Sequence, residues 1–217
     1  MSKIFVIGLP RTGTTSLSVA MLEAGFSVAH TAFSQATFEL ADVISDAPCF
    51  SDFQQLDRLF PNSKFIYLNR DLAEWLPSMQ RLLRKMETHL KPKTGYFNPV
   101  LKRSFQETFA IDCDELLSDQ HLIDCYQTHY SRVSQYFLGR KDYIEINLSD
   151  ANSLPRLFTF LGLDFTAEQQ FPHLNKGKRV ANWKAYKHPN KVNSLSAGVF
   201  HRQFFDYIKG YEPQVFK

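Results

Sequence analysis

The chain has 217 residues, 44% hydrophobic and 22% charged, which is enough apolar material for one packed domain and excludes a disordered segment. A formal net charge of +3 is too small to point by itself to a general nucleic-acid binder, and none is expected. Three cysteines (Cys49, Cys113, Cys125) without CxxC spacing exclude a disulfide scaffold and argue against a zinc module, so a reducing, cytoplasmic setting is expected. The apolar run before Gly8 is too short for a signal-peptide core, and no later stretch reaches the length of a membrane span.

Lys3 to Ile7 reads as a fully buried strand, apolar without alternation, which suits a parallel sheet covered on both faces. Gly8-Leu-Pro-Arg-Thr-Gly13 is a turn by composition, and Thr14 to Ala24 has helical spacing with Gly25 as its stop. Phe26 to His30 reads as a second short strand, and a helix capped by Ser34 is expected from Gln35 to about Ile44. Residues 46–52 read as a connector, followed by a short helix to Phe60, with Asp52 as its cap, and a Pro61-Asn62 turn.

Lys64 to Asn69 is the clearest strand in the chain. Asp71 and Glu74 then have capping-box spacing for a helix reaching roughly Leu90, which Pro77 should kink or delay. Residues 91–99 read as a loop, and Asp112 to about Leu138 as one long helix. Tyr143 to Asn147 is another strand, and Asn152 can cap a helix ending at Gly162. Residues 172–194 read as loop, and a last amphipathic helix should cover about Ala197 to Ile208. Strands alternating with helices imply a single α/β domain over 1–217, built on a mainly parallel sheet with helices on both faces.

Charge is unevenly spread. Seven of the 25 Lys/Arg and none of the 22 Asp/Glu fall between Gln169 and Phe205. Such a run is either a solvated basic loop or a local trap for an anionic ligand. A second anion signal lies at the other end. Gly8-x4-Gly13-Thr14-Thr15 sits between a buried strand and a helix, the context in which backbone N–H groups at a helix N-terminus wrap a phosphate. The lysine of a Walker A loop would fall at position 14, where this chain has threonine, and the cation has moved into the loop as Arg11.

Pro10-Arg-Thr-Gly-Thr-Thr15 resembles the 5′-phosphosulfate loop of the sulfotransferases that use 3′-phosphoadenosine 5′-phosphosulfate (PAPS). That family also has an Arg at a strand end and a Ser eight residues later, which hold the 3′-phosphate; Arg70 and Ser78 have that spacing. Near its C-terminus the family has an Arg-Lys-Gly loop, often followed by Asp-Trp-Lys. Here the matching segments are Asn175-Lys176-Gly177 and Asn182-Trp183-Lys184, with Lys178 and Arg179 beside the position where the family has Arg. Leu59-Phe-Pro-Asn-Ser-Lys-Phe-Ile66, Phe160-Leu-Gly-Leu163 and Phe171-Pro-His-Leu-Asn175 are similar to a branch of small sulfotransferase-like proteins.

The resemblance implies a P-loop three-layer fold and PAPS as cosubstrate. Arg11, Thr12, Gly13, Thr14, Thr15 and Ser16 would hold the 5′ side, Arg70 and Ser78 the 3′-phosphate, and Lys176, Gly177, Lys178 and Arg179 a further clamp. A transferred sulfuryl group carries less charge than a phosphoryl group, so no metal is required and the loop amides with Arg11 could stabilise it. The seven histidines show no metal-ligand spacing.

Sulfuryl transfer needs a base for the acceptor hydroxyl or amine. Counting back from Arg70 by the family's spacing puts Asp46 at the base position, against the plainer reading of a turn aspartate before Pro48. His30, at the end of the second strand, and Asp52 are the alternatives. The acceptor, small or macromolecular, is not legible, though segments 31–56 and 84–112 are expected to line its site. Two rival readings are a small P-loop kinase or nucleotide hydrolase, and a non-catalytic nucleotide-binding relative.

Overall fold

The computed structural model describes residues 2–164 and 183–196. Five strands, β1 (Ile4–Val6), β2 (Val28–Ala29), β3 (Val43–Ser45), β4 (Lys64–Asn69) and β5 (Tyr143–Asn147), form one sheet in the order β2-β3-β1-β4-β5. Every pairing is parallel, with Val6 opposite both Ser45 and Ile66, and Asn69 opposite Asn147. Helices fill the connections: α1 (Thr14–Glu23), α2 (Gln35–Leu40), α3 (Cys49–Leu59), α4 (Leu72–Leu90), α5 (Pro99–Phe109), α6 (Asp119–Tyr136) and α7 (Ser153–Leu161).

Strand side chains alternate between two apolar layers, as the pleat requires. Phe5, Phe65 and Tyr67 pack on one face with Phe53, Leu56 and Leu59 of α3 and Val133 of α6. Ile4, Val6, Ile66 and Leu68 pack on the other with Leu17 and Met21 of α1 and Leu157 of α7. A third cluster joins α4, α5 and α6 through Trp75, Met79, Phe105, Phe109 and Leu122. The fold is the expected α/β three-layer arrangement, with a five-stranded, all-parallel sheet among the described residues.

Several boundaries differ from the sequence expectation. The helix read from Gln35 to Ile44 ends at Leu40, and Val43–Ser45 is a central strand. Ala41 and Val43 are fully buried beside β1, and sheet pairing there outweighs a further helical turn. The connector is only Asp46-Ala47-Pro48, because α3 begins at Cys49. Asp52 is not its cap; it lies inside that helix at a kink. The Asp71 side chain caps α4 by accepting from the Ala73 and Glu74 N–H groups, and the helix starts at Leu72 with Pro77 in its interior. In place of one helix from Asp112 to Leu138, turns cover 111–117 and α6 starts after Ser118, whose side chain accepts from the His121 N–H. Pro99, capped by Asn98, opens an additional helix, α5. Asn152 precedes α7 without a side-chain cap bond, and Gly162 ends it in the left-handed region.

Residues 183–196 run along the open edge of β2. The Val28 N–H donates to Asn190 O and its carbonyl accepts from the Val192 N–H, while the Phe33 N–H donates to Ser194 O. Part of the basic loop is therefore an edge cover, which protects unpaired strand groups. The expected helix over 197–208 lies outside the described residues.

Candidate active site

Four parallel strands deliver their following residues to one place at the sheet's carboxyl edge, where open α/β sheets bind ligands. The loop 8–13 follows β1, His30 follows β2, Asp46 follows β3 and Arg70 follows β4. Pro10, Arg11, Gly13, Thr14, Thr15, Ser16, His30, Asp46, Arg70 and Leu82 line a cavity of about 190 Å³ there.

Local chain geometry explains the loop. A Cβ on Gly8 would lie 2.7 Å from Leu68 Cβ and from the Leu68 carbonyl oxygen, so glycine lets β1 leave the sheet against β4. Gly13 has φ 110°, and a Cβ there would meet Leu148 at 2.4 Å. As the residue before α1, Gly13 provides no side-chain cap, and the helix has no acidic residue in its first turn. No side chain caps the N–H groups at that end. Arg11 holds a left-handed φ of 73°, a strained state for a non-glycine residue that costs on the order of 1–3 kcal/mol.

Neighbouring elements hold that strained loop in place. Trp75, fully buried on α4, donates its indole N–H to Pro10 O at 2.9 Å. Arg11 Nε donates to Ser78 Oγ at 2.9 Å, and Thr12 Oγ1 to Leu9 O at 2.7 Å. Arg70 Nη1 donates to Arg11 O at 2.8 Å, and Arg70 Nη2 reaches Glu74 in an ion pair at 3.4 Å. Burial and the like charges of Arg70 and Arg81 push the Arg11 pKa down, with Asp46 opposing. Two guanidiniums, those of Arg11 and Arg70, therefore line the cavity.

His30 and Asp46 line the same cavity, with side chains 12% and 20% exposed. Their closest approach is 4.0 Å, from Nε2 to Oδ2. Thr15 Oγ1 lies 2.8 Å from His30 Nε2, and Ser45 Oγ lies 2.9 Å from Nδ1. Asp46, at φ 58°, accepts from the Ala47 N–H through Oδ1 at 2.8 Å. Trp183 meets the His30 ring edge-on at 5.3 Å, and Lys191 Nζ sits 4.3 Å over the Trp183 ring. Burial pushes the His30 pKa below its ordinary 6.5; Asp46 opposes this shift and Lys191 adds to it. Burial pushes the Asp46 carboxyl above the usual carboxylate range, against His30, the Ala47 N–H and Arg11.

Arg11, Gly13, Thr14, Thr15, Ser16, Arg70, His30 and Asp46 all come together, and Thr12 and Ser78 brace the loop from behind with 3% exposure each. Lys176, Gly177, Lys178 and Arg179 lie outside the described residues. Asp52 does not join the site: it is fully buried and held by Arg103 of α5 at 2.7 and 3.0 Å. Of the expected acceptor segments, 31–56 contributes Asp46 to this cavity and 84–112 contributes none of its described lining. A separate cavity of about 580 Å³ opens between Glu87–Thr94 and Ile111–Asp114. Sequence reasoning missed Ser45 and Ser18, buried hydroxyls behind His30, because a lone serine carries no pattern.

A family model described as a sulfotransferase domain matches residues 32–180, so the chain belongs to that family and sulfuryl transfer follows as its general chemistry. The matched span begins after the loop 8–15, so it supports the assignment independently of that loop. Comparison with curated proteins gave no match. No group of His, Cys, Asp and Glu able to hold a metal ion occurs among the described residues, and none of their helices is long and apolar enough to cross a membrane.

Proposed function

We propose that the chain binds PAPS in the cavity between the loop 10–16 and His30/Asp46, and transfers its sulfuryl group to a hydroxyl or amine. The observation that carries this reading is one cavity lined by Arg11, Arg70 and the start of α1, whose N-terminus no side chain caps. Two guanidiniums on one cavity, beside the free N–H groups of a helix start, suit a ligand that carries more than one anionic group. Bound PAPS supplies an activated sulfuryl group on a phosphate leaving group, together with a 3′-phosphate.

The N–H groups of Gly13 to Ser16 and the Arg11 guanidinium hold the 5′ side and neutralise charge that develops on the departing phosphate oxygen. Arg70, at the end of β4, serves the 3′-phosphate, while Ser78 orients Arg11, whose Nε donates to its hydroxyl. His30 takes the acceptor's proton at Nε2, which faces the cavity and is unprotonated at neutral pH because burial lowers its pKa. Asp46, 4.0 Å away, stabilises the imidazolium that results. In this assignment Asp46 acts as partner to the base, because its Oδ2 faces the Nε2 that receives the proton.

The reading is tested by incubating the protein with PAPS and separate panels of phenols, aliphatic alcohols, sugars and amines, and measuring 3′,5′-ADP release. Acceptor-dependent release is expected from at least one panel. Tight 3′,5′-ADP binding with no release from any of them would instead identify a nucleotide-binding relative without activity.

A further inference from the structure

Behind His30 lies a chain of buried hydroxyls. Ser18 Oγ is 2.8 Å from Thr14 O and 2.8 Å from Ser45 Oγ, which is 2.9 Å from His30 Nδ1. Ser18 and Ser45 are both 0% exposed, so no solvent competes for these contacts. Each serine has one proton to give. A carbonyl oxygen only accepts, so the Ser18 proton points at Thr14 O. Ser18 Oγ then accepts from Ser45, whose single proton is spent there. Ser45 Oγ must in turn accept from His30, which requires hydrogen on Nδ1. One arrangement satisfies all three contacts.

We infer that Ser45, oriented by Ser18, is a positioning residue that fixes His30 as its Nδ1–H tautomer and leaves Nε2 as the basic nitrogen facing the cavity. The inference deepens the reading of His30 as base and rests on it. It links the phosphate loop to the base: the relay begins at Thr14 O, in the first turn of α1, and Thr15 on the same turn donates to Nε2. Nδ1–H donates to Ser45 whether the ring is neutral or protonated, so only Nε2 exchanges a proton. The groups that face His30 are Thr15 of α1, Ser45 and Asp46 from the β3 end, and Trp183 with Lys191 from the edge segment.

Removal of the Ser45 hydroxyl leaves a buried Nδ1–H without its acceptor, and the neutral ring gains by moving its proton to Nε2. The test is long-range ¹H–¹⁵N NMR on histidine-labelled full-length protein, with the His30 signals assigned by their loss in His30→Ala. Wild-type protein should show a protonated Nδ1 and an unprotonated Nε2 above pH 7. Ser45→Ala should shift the pattern toward Nε2–H and lower kcat by about 10- to 100-fold, the usual cost of losing an orienting partner, with 3′,5′-ADP affinity retained. Ser45→Thr should restore the wild-type pattern. Ser18→Ala, which frees the Ser45 proton to turn toward His30, should loosen the preference and serves if the Ser45 variants do not fold. Wild-type protein with its proton on Nε2, or an unchanged pattern in both alanine variants, would overturn the relay. Turnover by His30→Ala bears on the base assignment alone, so the two readings fail separately.

Discussion

Arg70 donates through Nη1 to the carbonyl oxygen of Arg11 at 2.8 Å, so the residue that ends β4 braces the loop that follows β1. The Arg11 side chain is held separately, through its Nε bond to Ser78 Oγ. Arg70 keeps its ion pair with Glu74 as well, but that pair is exposed on the Glu74 side and worth little.

Arg70→Ala should weaken 3′,5′-ADP much more than 5′-AMP. Loss of a charge-assisted contact costs on the order of 2–3 kcal/mol, or about 30- to 150-fold in affinity. Isothermal titration with both ligands measures the difference. Equal weakening would mean that Arg70 serves the loop and not the 3′-phosphate.

His30→Ala should lower turnover by about 100- to 10,000-fold with donor affinity kept, the range for a lost positioned base. Asp46→Asn should cost less, and it should move the rising limb of kcat/KM against pH to lower pH. The sign follows because Asp46 raises the His30 pKa, opposing burial and Lys191. In the wild type that limb should lie below pH 6.5. An Asp46→Asn variant as inactive as His30→Ala, with its fold intact, would make the carboxylate the base.

Arg103→Met should destabilise the protein without changing donor binding. Its partner Asp52 is fully buried, and breaking a buried ion pair costs about 3–5 kcal/mol. Chemical denaturation together with 3′,5′-ADP titration separates the two effects. A selective loss of turnover at unchanged stability would return Asp52 to the list of candidate bases.

How legible all this was from sequence depended on the length of each signal. Lys64–Asn69, six residues with four consecutive buried positions, was readable, as was the Gly8–Thr15 loop between strand and helix. Val43–Ser45 is only three residues long and directly follows a helical pattern, so its strand character comes from pairing with β1 and β2, which no local window contains. The same blindness hid the pairing of His30 with Asp46, which are separated in sequence by α2 and β3 and meet only when β2 and β3 align. Asp52 reads in sequence as a helix cap or an alternative base because its partner, Arg103, stands 51 residues away on a helix the sequence does not announce.

Stability should fall as pH is lowered from 6.5 to 4. His129 is 3% exposed, and burial lowers its pKa to about 4, with Phe50 O as an opposing partner and Arg132 adding to the shift. The unfolded chain binds that proton near pH 6.5 while the native state does not until about pH 4. The unfolded state therefore holds more protons in this window, and stability present above it is lost through it. A shift of this size corresponds to about 3 kcal/mol. His30 acts in the same direction and Asp46 in the opposite one. Urea denaturation at several pH values checks the slope, and His129→Gln should flatten it.

The most direct test of the PAPS reading is thermal stabilisation by 3′,5′-ADP without metal, set against ATP with Mg²⁺. At a ligand concentration of about 100 times Kd, linkage supplies about 2.7 kcal/mol, which for a chain of this size raises Tm by about 5–10 °C. The account predicts that shift for 3′,5′-ADP in the presence of a chelator and a far smaller one for ATP–Mg²⁺. Equal shifts, or a larger one with ATP–Mg²⁺, would contradict it.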